Sequence, residues 1–148
     1  MEGSQVINLS KDDILFMAED KGNDVYIIKK GKVMVFVQKG SEIIPVAYLG
    51  KGEYIGELSF FDDELRSASI LCMENTEFSK ISTEELNKHF PGWLKTIGLQ
   101  ITHKIRESDE LIRSKGIRKK NLESIKPLAI EEQTRCFKLV EAHKYKAK

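Results

Sequence analysis

Gly52–Ile70 reads Gly-Glu-Tyr-Ile-Gly-Glu-Leu-Ser-Phe-Phe-Asp-Asp-Glu-Leu-Arg-Ser-Ala-Ser-Ile, and its reading decides the fold. A glycine turn leads into a short helix-compatible run, Glu57 to Phe61. An acidic spacer, Asp62 to Leu65, comes next, then Arg66, the small residues Ser67 and Ala68, and a β-prone exit. A helix start carries unpaired backbone N–H groups and the positive end of the helix dipole, which together suit an anion. Gly56 stands just before that start, where the lack of a Cβ lets backbone approach a ligand. Arg66 is the only basic side chain between Lys51 and Lys80, so it is the local residue expected to neutralise an anion there. Its guanidinium offers a planar two-point donor. Glu57 is an acceptor for hydroxyl protons. One glutamate, one arginine and a helix start describe a sugar-phosphate site better than a metal or catalytic one.

Working outward, the flanking chain reads as short strands separated by turns. Gln5 to Asn8 is expected as an edge strand, followed by Ile14 to Met17 and Val25 to Ile28. Lys30-Gly31-Lys32 reads as a tight hairpin with Gly31 at positive φ. Val33, Val35 and Val37 alternate with Met34 and Phe36, so both faces of that strand are expected to be covered. Ile43 to Leu49 is a further strand, and Pro45 places it at an edge. Ala68 to Met73 and Glu77 to Ile81 complete the set. Strands at this spacing argue for an antiparallel roll or barrel.

The period then changes. Ser82-Thr83-Glu84-Glu85 reads as a capping box, opening a helix to about His89. Phe90-Pro91-Gly92 breaks it. A second helix is expected from about Trp93 to Ser114, with Leu94, Ile97, Ile101, Ile105, Ser108 and Ile112 on one face. That stripe suits either a partner helix or the roll itself, and Trp93 reads as a packing anchor. Gly116 is expected to end the helix, and Pro127 to start a last one with Ile130, Cys136, Phe137, Leu139 and Val140 on its apolar side.

The stretch resembles the phosphate-binding cassette of the cyclic nucleotide-binding domain family, as in catabolite activator protein and the regulatory subunit of cyclic-AMP-dependent protein kinase. The resemblance rests on Gly56-Glu57-Leu58, a seven-residue interval, Arg66-Ser67-Ala68, and the lead-in Leu49 to Ile55. It covers roughly residues 5–115. It implies a mainly β fold, an antiparallel jelly-roll-like β-roll over residues 1–90 with its cassette at 52–70. A long lid or dimer helix at 91–116 and a basic helical tail of unassigned role at 117–148 follow. By resemblance Glu57 holds the ribose 2′-hydroxyl and Arg66 the cyclic phosphate. Gly56, Leu58 and Ser59 on one side, and Ser67 and Ala68 on the other, complete the cradle. Tyr54 in the lead-in, and Ser108 and Asp109 counted from Pro91, are further candidate contacts. The chain departs from the family in its spacer, where glycine and proline are usual. The helices usual before the first strand and the winged helix-turn-helix of catabolite activator protein are not read here.

Composition bounds the function. The 148 residues have an ordinary apolar share and a net charge of +1. That charge is uneven: residues 1–112 hold 13 basic and 19 acidic side chains, and residues 113–148 hold 11 and 4. The basic tail therefore suits an acidic protein partner better than nucleic acid. Cys72 and Cys136 form no disulfide or zinc pattern, and His89, His103 and His143 lack metal-ligand spacing. No serine or cysteine stands beside a credible base, so no enzyme, cofactor or metal is expected. No apolar run reaches a membrane span or a leader core, which makes the cytoplasm the expected compartment. Two functions fit. One is a non-catalytic sensor binding a cyclic mononucleotide, cyclic AMP or cyclic GMP, with a homodimer through residues 93–114. The other is a ligand-free roll serving as a dimerisation or interaction module.

Overall fold

The computed structural model describes residues 4–115 and 126–146, without side chains at Asp109 and 112–115. Eight strands come first: β1 Ser4–Leu9, β2 Ile14–Phe16, β3 Val25–Lys30, β4 Lys32–Lys39, β5 Glu42–Gly50, β6 Tyr54–Ile55, β7 Ser69–Cys72 and β8 Thr76–Ile81. A short helix, α1 Glu57–Asp62, interrupts them between β6 and β7. Three helices follow: α2 Thr83–His89, α3 Gly92–Lys115 and α4 Ile130–Lys146. The strands form two four-stranded sheets, ordered β1-β8-β3-β6 and β2-β7-β4-β5, with every pairing antiparallel. This is the expected mainly β roll followed by helices.

Alternation along the strands explains the layers. Val33 turns to the space between the sheets and joins Tyr26, Ile28, Ile70, Cys72 and Phe78 in one core cluster. Met34 and Phe36 turn the other way and cluster with Ile14, Ile43, Leu71, Cys136 and Val140. The second set includes two residues of α4, so α4 is the layer that covers the outer face of the second sheet. Over Ile130–Lys146 the basic tail is thus packed chain, with Arg135 paired to Asp12 of the roll. Gln133 exchanges hydrogen bonds with the backbone N–H and C=O of Ile43 on the edge strand β5. A side-chain amide there mimics a neighbouring strand and blunts an edge otherwise open to pairing. Val140 is 1% exposed, whereas Ile130 on the same helix is 85% exposed. Val140→Asp should therefore cost about 3 kcal/mol or more, since it buries an unpaired charge, and Ile130→Asp within about 0.5 kcal/mol. Urea denaturation of the two variants checks this; equal midpoints would mean α4 is not part of the core.

Several local expectations change. Lys30-Gly31-Lys32 joins strands of different sheets and is not a hairpin, although Gly31 has φ 103°. A Cβ at Gly31 would lie 2.5 Å from Thr76 Oγ1, so the tight crossing is what requires glycine. Pro45 does lie on an edge strand, at a bulge where Val35 faces Ala47 and Phe36 faces Pro45. Ser82 Oγ accepts from Glu85 N at 3.2 Å, but the Glu85 carboxylate turns to Lys88 and His89. The last helix begins at Ile130, three residues beyond Pro127. Trp93 is 67% exposed and is not the expected buried packing anchor among the described residues. The expected helix end at Gly116 and the basic run Arg118 to Lys120 lie outside the described residues.

Candidate functional site

The glycine lead-in builds the approach to α1. Gly52, at φ 89°, donates its N–H to Ile28 O, and Ile28 N–H donates to Glu53 O. These bonds lay β6 beside β3. Gly56 is the N-cap of α1, at φ 84° and ψ 10°, with no side-chain cap on the first amides. The C-cap Asp63 sits at φ 56° and its N–H returns to Ser59 O. Asp62 Oδ1 accepts from Glu64 N at 3.0 Å. Aspartates tolerate this left-handed turn and close it with their own side chains. The acidic spacer thus does locally what glycine and proline do in other turns.

Arg66 enters the first turn of chain beyond that cap and is 4% exposed. Its backbone is pinned by the β2–β3 connection, with Arg66 N donating to Asp20 O and Glu19 N donating to Arg66 O. Nη1 donates to Gly56 O at 3.1 Å and Nη2 to Asp24 O at 2.9 Å. The guanidinium lies 4.3 Å from the Phe16 ring centroid, a cation–π stack. Among the described residues, Nε is the buried side-chain polar atom without a hydrogen-bond partner. Burial pulls the guanidinium below its ordinary pKa, and Tyr26, Asp24, Asp20 and Glu57 offset part of that. Glu57 is an exposed residue, yet the protein around it desolvates its carboxyl and raises its pKa, with its own backbone N–H and Arg66 opposing the rise.

These groups surround one cavity of about 500 Å³. Tyr54, Gly56, Glu57, Leu58, Ser59, Arg66, Ser67 and Ala68 all line it. Its apolar wall comes from Phe16, Val35, Val46, Ala47, Leu49 and Ile70. Val46 and Ala47 are consecutive, and the bulge at Pro45 lets both reach the same side. From α3 the lining residue is Ile105, one turn before Ser108. The Ser108 hydroxyl instead donates to Lys104 O at 3.1 Å, and the Asp109 side chain lies outside the described residues. Among the described residues no group of three or more His, Cys, Asp or Glu could hold a metal ion. None of their helices is long and apolar enough to cross a membrane.

The spacer carboxylates stay out of that cavity. The Asp62 side chain, 2% exposed, is clasped by Arg106 of α3 through Nε and Nη2. Asp63 accepts from Asn23 Nδ2 at 3.0 Å. Arg66 is therefore not the only cation near the cassette, because α3 brings Arg106 across from 44 residues further along the chain. Local sequence carries no signal for such a partner.

The profile of the cyclic nucleotide-binding domain matches residues 6–90. The chain belongs to the cyclic nucleotide-binding domain family. It is 31% identical over 99 residues to the cyclic AMP receptor protein of Thermus thermophilus, covering 64% of this chain and 46% of that one. It is 31% identical over 100 residues to cGMP-dependent protein kinase 2 of Mus musculus, covering 59% and 13%. The chain thus spans less than half the length of either curated relative. Among solved structures it resembles the cyclic-AMP-bound form of the EAL enzyme Bd1971, with a TM-score of 0.67 and 28% identity over 72% of this chain and 29% of that one. It also resembles the Thermus thermophilus catabolite activator protein, with a TM-score of 0.59 and 28% identity over 74% and 53%. Membership in this family identifies the chain as a cyclic nucleotide-binding domain of the kind found in regulatory proteins.

Proposed function

We propose that this cyclic nucleotide-binding domain is a non-catalytic sensor for cyclic AMP or cyclic GMP. The observation that carries the reading is Arg66, a buried guanidinium with an unpaired Nε, which lines the cavity together with Gly56, Glu57 and Ser59. A buried donor without a partner costs about 1–3 kcal/mol, so an acceptor delivered by a ligand regains it. Cyclic phosphate is placed against Arg66, the Gly56–Ser59 backbone, Ser67 and Ala68. The ribose hydroxyl is placed on Glu57, and the base lies toward the apolar wall, Tyr54 and Ile105. A volume near 500 Å³ suits one mononucleotide. The structures of Bd1971 include both a cyclic-AMP-bound and a cyclic-GMP-bound form, which supports a mononucleotide without choosing the base.

The signal is read out by α3. Trp93, Leu94, Ile97, Ile101 and Ile105 are exposed along it, and Ile105 also lines the cavity. Another face of α3 is taken, where Gly98 packs against Phe61 and Thr102 is buried. An exposed apolar stripe at helical spacing fits a second α3 in a homodimer. Ligand then shifts the populations of α3 placements by its differential affinity for them. Calorimetry and thermal denaturation with cyclic AMP, cyclic GMP and a cyclic dinucleotide test the sensor reading. Saturable binding of one mononucleotide is expected, and no binding by any of the three leaves the ligand-free interaction module instead. Sedimentation of Ile101→Glu should give a monomer where the wild type is a dimer; two identical profiles would remove the α3 interface.

A further inference from the structure

Arg106 is absent from the cavity lining, yet its guanidinium contacts three residues of the cassette, Ser59, Asp62 and Leu65. Nε and Nη2 grip the Asp62 carboxylate, the latter at 3.0 Å from Oδ1. Nη1 donates to Leu65 O at 2.8 Å, and Nη2 lies 3.4 Å from Ser59 Oγ. Ser59 is 1% exposed and lines the cavity, and Leu65 immediately precedes Arg66. One side chain thus ties together the cradle helix, its acidic C-terminal turn and the residue before the phosphate ligand. Gly98, Thr102 and Arg106 stand four residues apart, on one face of α3. A Cβ at Gly98 would collide with the Phe61 ring, so α3 approaches α1 closely there. Thr102 is buried, with its hydroxyl returned to Gly98 O. The seam fixes the register of α3 along α1, and Arg106 clamps its far end.

We infer that Arg106 is a positioning residue for the nucleotide site: through Asp62, Leu65 O and Ser59 it holds the α1–β7 turn so that Arg66 and Ser59 are set for the phosphate. The inference rests on the cyclic-nucleotide reading of the cavity. It also assigns the acidic spacer a role, since Asp62 is the acceptor that recruits α3 and does not repel the ligand. Linkage then makes the coupling reciprocal: displacing α3 weakens nucleotide binding, and bound nucleotide tightens α3 on the cassette.

The test uses the full chain in four forms, Arg106→Ala, Arg106→Lys, Asp62→Asn and the Arg106→Ala/Asp62→Asn double variant. Hydrogen exchange is followed without nucleotide, and affinity for cyclic AMP and cyclic GMP by calorimetry. Arg106→Ala is expected to speed exchange over residues 59–67 while leaving β3 and β4 protected. It should also weaken binding by at least about fivefold, the lower end of typical coupling between sites. Arg106→Lys should recover part of both, because an ammonium keeps the charge without the planar fork. Asp62→Asn should act in the same direction, and the double variant should be no weaker than the worse single one, as for groups acting together. Where Arg106→Ala also loses protection in β3 and β4, the role is general scaffolding and the inference is overturned. Additive losses, or unchanged exchange and affinity, overturn it equally. A wild type that binds neither nucleotide sinks the sensor reading, while the exchange data still decide whether Arg106 holds the cassette.

Discussion

Arg66→Ala should weaken cyclic-nucleotide binding by about 10- to 150-fold, because a hydrogen bond to a charged group contributes about 1.5–3 kcal/mol and each 1.4 kcal/mol is a decade. The same substitution should also lower stability. Nη1 and Nη2 satisfy Gly56 O and Asp24 O, and the guanidinium stacks on Phe16. Removing it takes one donor from each of two carbonyls and empties the space over the ring. Arg66→Lys separates the two effects. Lysine keeps one charge on a flexible stem, so part of the affinity should return while the two-carbonyl clasp does not. Glu57→Gln should weaken binding less than Arg66→Ala, since an acceptor oxygen remains for the ribose hydroxyl. Calorimetry together with thermal midpoints reports both quantities. Arg66→Ala binding as tightly as the wild type would end the cassette reading of this site. Neutralising Asp62, Asp63 and Glu64 together should not strengthen binding, because Asp62 is already paired with Arg106 and none of the three lines the cavity.

Gly56→Ala carries the second large effect, and Gly52→Ala is its internal control. Both glycines have positive φ, 84° and 89°. An alanine in that region costs about 1–2 kcal/mol at either position. At Gly52 nothing lies within 4 Å of an added Cβ. At Gly56 the added Cβ would sit 2.6 Å from Arg66 Nη1 and 2.8 Å from Asp24 O. Arg66 must then leave its place, or the backbone of α1 must shift. Gly56→Ala should therefore lose clearly more stability than Gly52→Ala in urea denaturation, and should lose nucleotide binding as well. Gly52→Ala should bind with near wild-type affinity once folded. Equal losses at the two positions would show that φ alone, and not the close approach to Arg66, demands glycine at Gly56.

Much of the fold was legible in local pattern. Two-residue alternation in β4 announced a strand covered on both faces, Pro45 an edge strand, and Ser82 a helix start, because each depends on neighbours in sequence. The cassette residues that line the cavity were legible for the same reason. Gly56 through Ser59 and Arg66 through Ala68 are close along the chain, and a glycine turn, a short helix and one arginine constrain each other locally. What covers each face was not. Sequence periodicity marked an apolar stripe on α3 but also allowed it to pack on the roll; the structure leaves Leu94, Ile97, Ile101 and Ile105 exposed and turns Gly98, Thr102 and Arg106 inward.

By itself, then, the sequence determined the β-roll, the order of its elements and the residues that could meet a phosphate, since those follow from short-range periodicity, turn chemistry and charge. Tertiary structure alone decided three further matters. It made Lys30-Gly31-Lys32 a crossing between sheets, because pairing partners are chosen by long-range packing and not by the turn. It set α4 against Met34 and Phe36, because the outer face of a sheet can be buried by any amphipathic helix that reaches it. It brought Arg106 to Asp62, because a buried carboxylate needs a cation within hydrogen-bonding distance but places no condition on where in the chain that cation lies.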